Sequence, residues 1–213
     1  MKQKISLGVL AAAMALALGG PAFADAPTAE LKVTGSLDVP GCTVTSDNNG
    51  VYDFGTISPS LIKPGTAVTA LTPITQNWDI NCSGSTYLTF KVIDNEAASA
   101  SAVSVLNFGL GNVNGTGKIG YYQVIMSQPT VDGAASSVFA SNDKTITSVA
   151  TINAYSGAYS MGWSSGTALK AGKDFGVAMK VSPYLAGTTT MNGPITSDTN
   201  LNGSLTLNFA FGL

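Results

Sequence analysis

Apolar and polar residues alternate along much of the chain, and alternation of this kind is typical of β-strands. It is most regular at the C-terminal end, where the odd positions from 205 to 213 are large apolar residues and the even positions from 204 to 212 are small or polar. Turn residues and prolines separate the alternating stretches. The stretches predicted to be strands are 31–39, 51–57, 74–82, 87–93, 103–110, 119–126, 145–152, 175–181 and 205–211.

This series of short strands favours an all-β fold. No stretch after residue 24 has the period of an amphipathic helix, and turn signals recur at the spacing of an antiparallel β-sandwich. No linker rich in Pro or Ser and no run of charges divides the chain. We therefore predict a single antiparallel β-sandwich domain over residues 25–213.

The first 24 residues have the pattern of a cleaved secretory signal. Lys2 and Lys4 give a positive start, and a short apolar stretch follows at 5–18. Ala22 and Ala24 supply the small residues of a cleavage site. The apolar stretch is shorter than the roughly 20 residues that span a bilayer as a helix. We therefore expect cleavage after Ala24, export to the periplasm or cell surface, and no transmembrane helix.

The composition disfavours several classes of function. The chain has no His and no Arg, with 10 Lys against 12 acidic residues. Without His the chain lacks the usual general base and the imidazole metal ligand. Without Arg it lacks the guanidinium group that binds phosphate or guanine through two hydrogen bonds. An acidic exported chain is also a poor candidate for nucleic acid. We expect a non-enzymatic protein with no cofactor and no metal.

The chain contains one pair of cysteines, Cys42 and Cys82. In an exported protein an even number of cysteines predicts a disulfide, here closing a loop of about 40 residues that stabilises the fold by about 4 kcal/mol in the chain-entropy account. Two unrelated buried thiols are the alternative. A metal site would lack a third Cys or a His to complete it.

The C-terminal strand has two possible roles. Its apolar positions are Leu205, Leu207, Phe209, Phe211 and Leu213. They form either the core face of a last strand in a complete sandwich, or the edge of an incomplete one, to which a strand from another chain is added.

Four aromatic residues are candidates for a carbohydrate-binding surface. They are Trp78, Trp163, Tyr121 and Tyr122. Aromatic faces suit sugar rings, but packing within a sandwich is the interpretation that the alternating pattern favours.

Several short motifs, in order and spacing, resemble those of a known family. They are DFGTIS at 53–58, KVIDN at 91–95, FGLG at 108–111, GKIGYY at 117–122 and LNGSLTL at 201–207. With the signal peptide and the cysteine pair, the chain resembles subunits of chaperone-usher fimbriae. It resembles more closely a family of small exported bacterial proteins described as fimbrial or fimbrial-adhesin-like, a domain of unknown function.

The resemblance implies an incomplete immunoglobulin-like, pilin-like sandwich in the envelope of a Gram-negative bacterium. Its missing strand would be lent first by a periplasmic chaperone and then by a sibling subunit. The strand with Leu205, Leu207, Phe209 and Phe211 would border the groove, and a Cys42–Cys82 bond would join the first two strands. A surface glycan is a further possible partner. Because only 25–30 precede the first predicted strand in the mature chain, we predict a poor strand donor.

Two other classes share part of this pattern. A small outer-membrane β-barrel would also have a signal peptide and an aromatic C-terminal strand, but the cysteine pair and the few aromatic residues count against it. A self-complete periplasmic sugar-binding sandwich is the other alternative.

Overall fold

The computed structural model describes residues 28–36 and 39–212. The predicted signal peptide and Leu213 lie outside the described residues. Backbone contacts divide the chain into two units, Met1–Asp38 and Val39–Leu213. In the first unit, the described residues 28–36 form neither strand nor helix, and all of them are exposed. The strand predicted over 31–39 is therefore not formed in its described part.

The second unit consists of β-strands, loops and short 3-10 turns, with no α-helix among the described residues. The 3-10 turns are Asp47–Gly50, Pro59–Leu61 and Ala97–Ser99. The strands are β1 (Cys42–Ser46), β2 (Thr69–Ala70), β3 (Ile74–Asp94), β4 (Phe108–Gly109), β5 (Asn112–Val113), β6 (Gly117–Lys118), β7 (Gly120–Val131), β8 (Ala134–Ala135), β9 (Ser137–Ser141), β10 (Thr151–Asn153), β11 (Ser160–Ser165), β12 (Ala168–Leu169), β13 (Ala171–Leu185) and β14 (Leu205–Phe211).

The long strand β3 belongs to two sheets. Its first half pairs with β1 and β13, and β13 pairs in turn with β7. Its second half pairs with β14 and β11, and β11 pairs in turn with β9. All of these pairings are antiparallel, so the predicted fold class, an antiparallel β-sandwich with one disulfide, is confirmed.

The core lies between the inner faces of the two sheets. Trp163 on β11 is 1% exposed and packs between Phe90 on β3 and Phe175 on β13, with ring centroids at 6.1 and 5.1 Å. Its indole Nε1 donates a hydrogen bond of 2.9 Å to the Gly176 carbonyl of the opposite sheet. The aromatic cluster therefore joins the two sheets by packing and by one buried polar contact.

The structure agrees with part of the predicted strand pattern and corrects the rest. The predicted stretches 74–82 and 87–93 lie in one continuous strand, and 175–181, 205–211 and all of 119–126 except its first residue are strand. The stretch 51–57 forms no strand, and 103–110 and 145–152 are strand only near their C-terminal ends. β1, β9 and β11 were missed because Ser, Thr and Gly dilute their apolar alternation.

Candidate functional site

One edge of β14 has no partner strand among the described residues. Asn95 N–H donates to the Ser204 carbonyl and Gly212 N–H to the Tyr87 carbonyl, so the even-numbered residues direct their backbone groups toward β3. In an antiparallel ladder the odd-numbered residues then direct theirs to the opposite side. The free edge therefore presents the N–H and C=O groups of Leu205, Leu207, Phe209 and Phe211.

The inward side chains of β14 lie beside an apolar groove. Leu205, Leu207 and Phe209 pack against the core but are only half-buried, and they line a groove of about 580 Å³. The Phe209 ring lies 5.3 Å from the buried Phe90 ring. Phe211 is 47% exposed and lines no part of this groove. Three of the residues predicted to border a groove, Leu205, Leu207 and Phe209, line this one, and their role in strand pairing stays a prediction.

The opposite wall of the groove is the segment 51–57, which was predicted to be a strand. Tyr52, Phe54 and Ile57 pack against the core from this segment, and the first two line the groove. No strand pairs with the segment in the described part of the chain. A segment with no partner strand among the described residues and the inward side chains of β14 thus line the same apolar groove.

The floor of the groove comes from the inner faces of β7 and β13. The residues are Tyr122 and Val124 of β7 and Met179, Val181 and Pro183 of β13. Of the residues that the structure describes, none with a charged side chain lines this groove. An occupant therefore meets an apolar surface, except for the Ser204 side chain, the tyrosine hydroxyls and the backbone groups of the two walls.

A second cavity of about 910 Å³ continues the groove, because both cavities share Val51, Tyr52, Phe54 and Leu201. Its walls are 51–59 on one side and 197–202 on the other. The walls of this part are more polar and include two carboxylates. The complete groove therefore has an apolar part beside β14 and a more polar part beyond it.

The apolar end of the groove is held by a hydrogen-bonded pair of aromatic residues. Trp78 Nε1 donates to the Tyr52 hydroxyl at 3.0 Å, and that hydroxyl donates to the Met179 carbonyl at 3.1 Å. Burial raises the pKa of Tyr52, and the hydrogen bond from Trp78 opposes this effect. Gln76 Nε2 donates to the Val51 carbonyl at 2.7 Å. These contacts attach the start of the segment 51–57 to β3 and β13.

The disulfide lies close to the same region. Cys42 and Cys82 are bonded and are direct cross-strand partners of β1 and β3, so this prediction is confirmed. Val44, two residues further along β1, lines the groove. The bond therefore secures a short edge strand that contributes to the groove wall.

The candidate carbohydrate residues are not brought together on one surface. Trp163 is 1% and Tyr122 is 6% exposed, so neither offers a ring face to a ligand at the surface. Burial, with Asp94 and Glu96 nearby, raises the pKa of Tyr122. Tyr121 is partly exposed and stacks on Tyr184 at 4.9 Å. Trp78 lines the groove together with Tyr122, apart from Tyr121 and Trp163.

Within the described residues, no group of three acidic or cysteine side chains is placed to hold a metal ion. No helix in the same residues is long and apolar enough to cross a membrane.

The protein is thus an antiparallel β-sandwich in which one edge of β14 pairs with no strand of the described residues. Residues 31–107 match a family described as a protein of unknown function, DUF1120. The match covers just over a third of the chain and includes β1, β3 and the segment 51–57. The resemblance to a domain of unknown function is thus supported over that part of the chain. No curated protein matches the sequence.

Proposed function

We propose that this protein is an exported structural or adhesive subunit of a fimbria, and that its groove binds a β-strand from another chain. The observation that carries the proposal is the free edge of β14 beside an apolar groove. An unpaired edge with an apolar face is a template for strand addition, in which backbone hydrogen bonds give affinity and alternate side chains fill the groove.

The partners follow from the resemblance to chaperone-usher subunits. A periplasmic chaperone supplies the strand first, and a sibling subunit replaces it on assembly. The half-buried state of Leu205, Leu207 and Phe209 supports the addition of a strand, because each gains burial when a strand enters. Apolar area removed from water contributes roughly 25 cal/mol per Å². A chain with the groove empty is expected to be prone to association.

The N-terminal segment supports a donor role as well. The expectation of a poor donor rested on a first strand beginning at residue 31 and on Pro27, which cannot donate a ladder hydrogen bond. The first of these grounds no longer applies, because the first strand among the described residues begins at Cys42. Leu31 and Val33 are 86% and 87% exposed and stand two residues apart, as the inward side chains of a strand do. A second copy of this chain is therefore a suitable source of the strand.

The test is assembly of the full chain in an exporting strain with its chaperone. Periplasmic and surface fractions are run on non-reducing gels, heated and unheated in detergent. We expect a ladder in unheated samples that collapses to the monomer on boiling. The double variant Leu207→Asp and Phe209→Asp should remove both the ladder and the protein from these fractions.

Asn208→Asp is the control, because it adds one negative charge to the same strand on the exposed face. It should leave the ladder intact. A soluble monomer at undiminished level in the double variant would contradict the proposed strand-binding role.

A further inference from the structure

Strands β1 and β14 lie on the same edge of β3. Ser83 N–H donates to the Gly41 carbonyl, so the odd-numbered residues of β3 direct their backbone groups to β1 as they do to β14. Both strands run antiparallel to β3: β1 begins opposite Cys82, and β14 ends opposite Leu88. Pro40 and Gly41, which precede β1, therefore extend along β3 toward the C-terminal end of β14.

Pro40 is the point from which the N-terminal segment has to reach the groove. Its ring packs on Gly84, where an added Cβ would lie 3.7 Å away. Gly84 lies four residues before Leu88, the partner of Phe211, and the free edge of β14 is one strand further out. From the spacings of residues and strands in a sheet, the distance from Pro40 to a strand beside Phe211 is about 14 Å. An extended chain needs about five residues to span it, so residue 35 is the first, counted back from Pro40, that can stand there.

The alternation of the segment 29–35 then selects a register. The inward side chains of β14 are odd-numbered, and residues directly opposite on neighbouring strands lie on the same face of a sheet. Odd-numbered residues of the segment must therefore oppose odd-numbered residues of β14. Because the segment leads away from the Phe211 end as its numbers fall, the two strands are parallel. The opposed pairs are Gly35 with Phe211, Val33 with Phe209, Leu31 with Leu207 and Ala29 with Leu205.

This register suits the groove better than the next one. Leu31 and Val33, which are 86% and 87% exposed, would be covered in the lined part of the groove. Gly35 would lie beside Phe211, which lines neither cavity. The even-numbered residues of the segment, two of them charged, would stay on the solvent face. A shift by two residues would instead carry Val33 beyond the lined part and bring Pro27, which has no N–H, into the ladder.

We propose that residues 29–35 close the groove of their own chain as a parallel strand beside β14, and that a partner strand displaces them. The inference rests on the proposed function and adds how the same groove is covered before a partner arrives. Parallel pairing is slightly less stable per residue than antiparallel pairing, so an antiparallel partner strand has the advantage. The second cavity adds a favourable charge interaction, because the α-amino group of a chain cleaved after Ala24 would reach the side with Asp53 and Asp198.

The test is a disulfide between Lys32→Cys and Asn208→Cys in the full mature protein. The two positions oppose each other in this register, both are exposed, and neither lines the groove. Neighbouring strands are about 4.8 Å apart, within the Cα separation that a disulfide bridges. The purified protein is oxidised at several concentrations, and non-reducing gels with mass spectrometry of the digest identify the bond. We expect a bond within one chain, with a yield that does not change with protein concentration. An added synthetic peptide with the sequence 29–40 of this chain should lower that yield.

Lys32→Cys with Thr206→Cys is the matched control, because Thr206 is also exposed on the solvent face of β14. This pair lies about 8 Å apart in the proposed register, too far for a disulfide without backbone movement, so its yield should be about tenfold lower. To bring the control pair together, Leu37 would have to stand beside Phe211, which the reach from Pro40 does not allow.

The outcomes separate this inference from the proposed function. Equal yields from the two pairs within one chain, or no bond within the chain, would overturn the closure, while the heated and unheated gels test the proposed function by themselves. Covalent dimers whose yield rises with protein concentration, with no bond within the chain, would overturn the closure but support strand binding between copies. A yield that the added peptide leaves unchanged would overturn the displacement of the segment by a partner strand.

Discussion

Strands β13 and β14 both have an apolar inner face, but their side chains are buried to different degrees. On β13, Phe175 and Met179 are 1% and 4% exposed, whereas Leu207 and Phe209 on β14 are only half-buried. β13 has β3 on one edge and β7 on the other, whereas β3 is the only strand of the described residues that pairs with β14. Alternation thus specifies a strand, while the number of neighbouring strands decides how much of its apolar face is removed from water.

The aromatic core and the groove also differ in how much their side chains stabilise the isolated chain. Side chains in the aromatic core contribute nearly their full transfer free energy to the stability of the isolated chain. Those beside the groove contribute only part of it until a partner strand covers them. Core substitutions should therefore affect stability most, and groove substitutions should affect partner binding most.

The largest effect on stability is expected from Trp163→Ala. The change leaves a cavity between the sheets and removes the donor to the Gly176 carbonyl, so the free energy of unfolding should fall by about 5 kcal/mol. Urea denaturation followed by circular dichroism measures it. A loss below about 1 kcal/mol would mean that the core is not closed as the structure shows.

The next largest effect is expected at the disulfide. The double variant Cys42→Ala and Cys82→Ala should lose about 4 kcal/mol by the chain-entropy account, because the bond closes a loop with a sequence separation of 40. Urea midpoints of the oxidised protein and the variant provide the measurement. Because β1 carries Val44 into the groove wall, the variant should also bind a synthetic peptide with the sequence 29–40 of this chain, the proposed donor segment, more weakly. Unchanged peptide affinity would show that β1 does not contribute to peptide binding.

A smaller loss is expected from Phe209→Ala in the isolated chain. Because Phe209 is only half-buried, the free energy of unfolding should fall by about 1–2 kcal/mol, less than the 3–5 typical of a fully buried phenylalanine. The same substitution should weaken binding of the peptide at least tenfold. Phe211→Ala, just past the groove end, is the control. Equal losses of peptide affinity in the two variants would argue against the groove boundary.

The smallest effect is expected at Asp132, outside both regions. Hydrogen bonds from the backbone nitrogens of Asp174 and Lys173 lower the pKa of the Asp132 carboxyl below its ordinary value of 3.8. A lowered pKa in the folded state means that this stabilisation is present above pH 3.8 and is lost as the pH falls through the folded-state pKa.

The test compares urea midpoints of the unmodified protein and Asp132→Asn over the acidic range. The difference between them should be largest near neutral pH and should shrink on acidification. Asp198→Asn, at an exposed position in the 195–204 segment, controls for loss of one surface charge. If the difference between the two urea midpoints does not change with pH, these hydrogen bonds do not stabilise the fold as stated.

Part of the candidate site was predictable and part was not. The strand at 205–211 and the Cys42–Cys82 pair were evident because the first is a local alternation and the second an isolated pair in an exported chain. The Tyr52–Trp78 contact joins residues 26 positions apart and has no local signal. For Trp163 the sequence left a carbohydrate-binding surface open but favoured packing within the sandwich, and the residue is 1% exposed in the core.

By itself the sequence determined the all-β class, the cysteine pair and the C-terminal strand, because alternation, turn residues and residue counts act over a few positions or need no geometry. Only the tertiary structure decided three features of the described residues: 51–57 pairs with no strand, β3 passes through both sheets, and β14 pairs with β3 alone. These features depend on contacts between residues distant in sequence. Strand pairing and burial depend on which residues are close in space. At the groove, β14 has no second partner strand among the described residues, and its apolar side chains stay partly exposed.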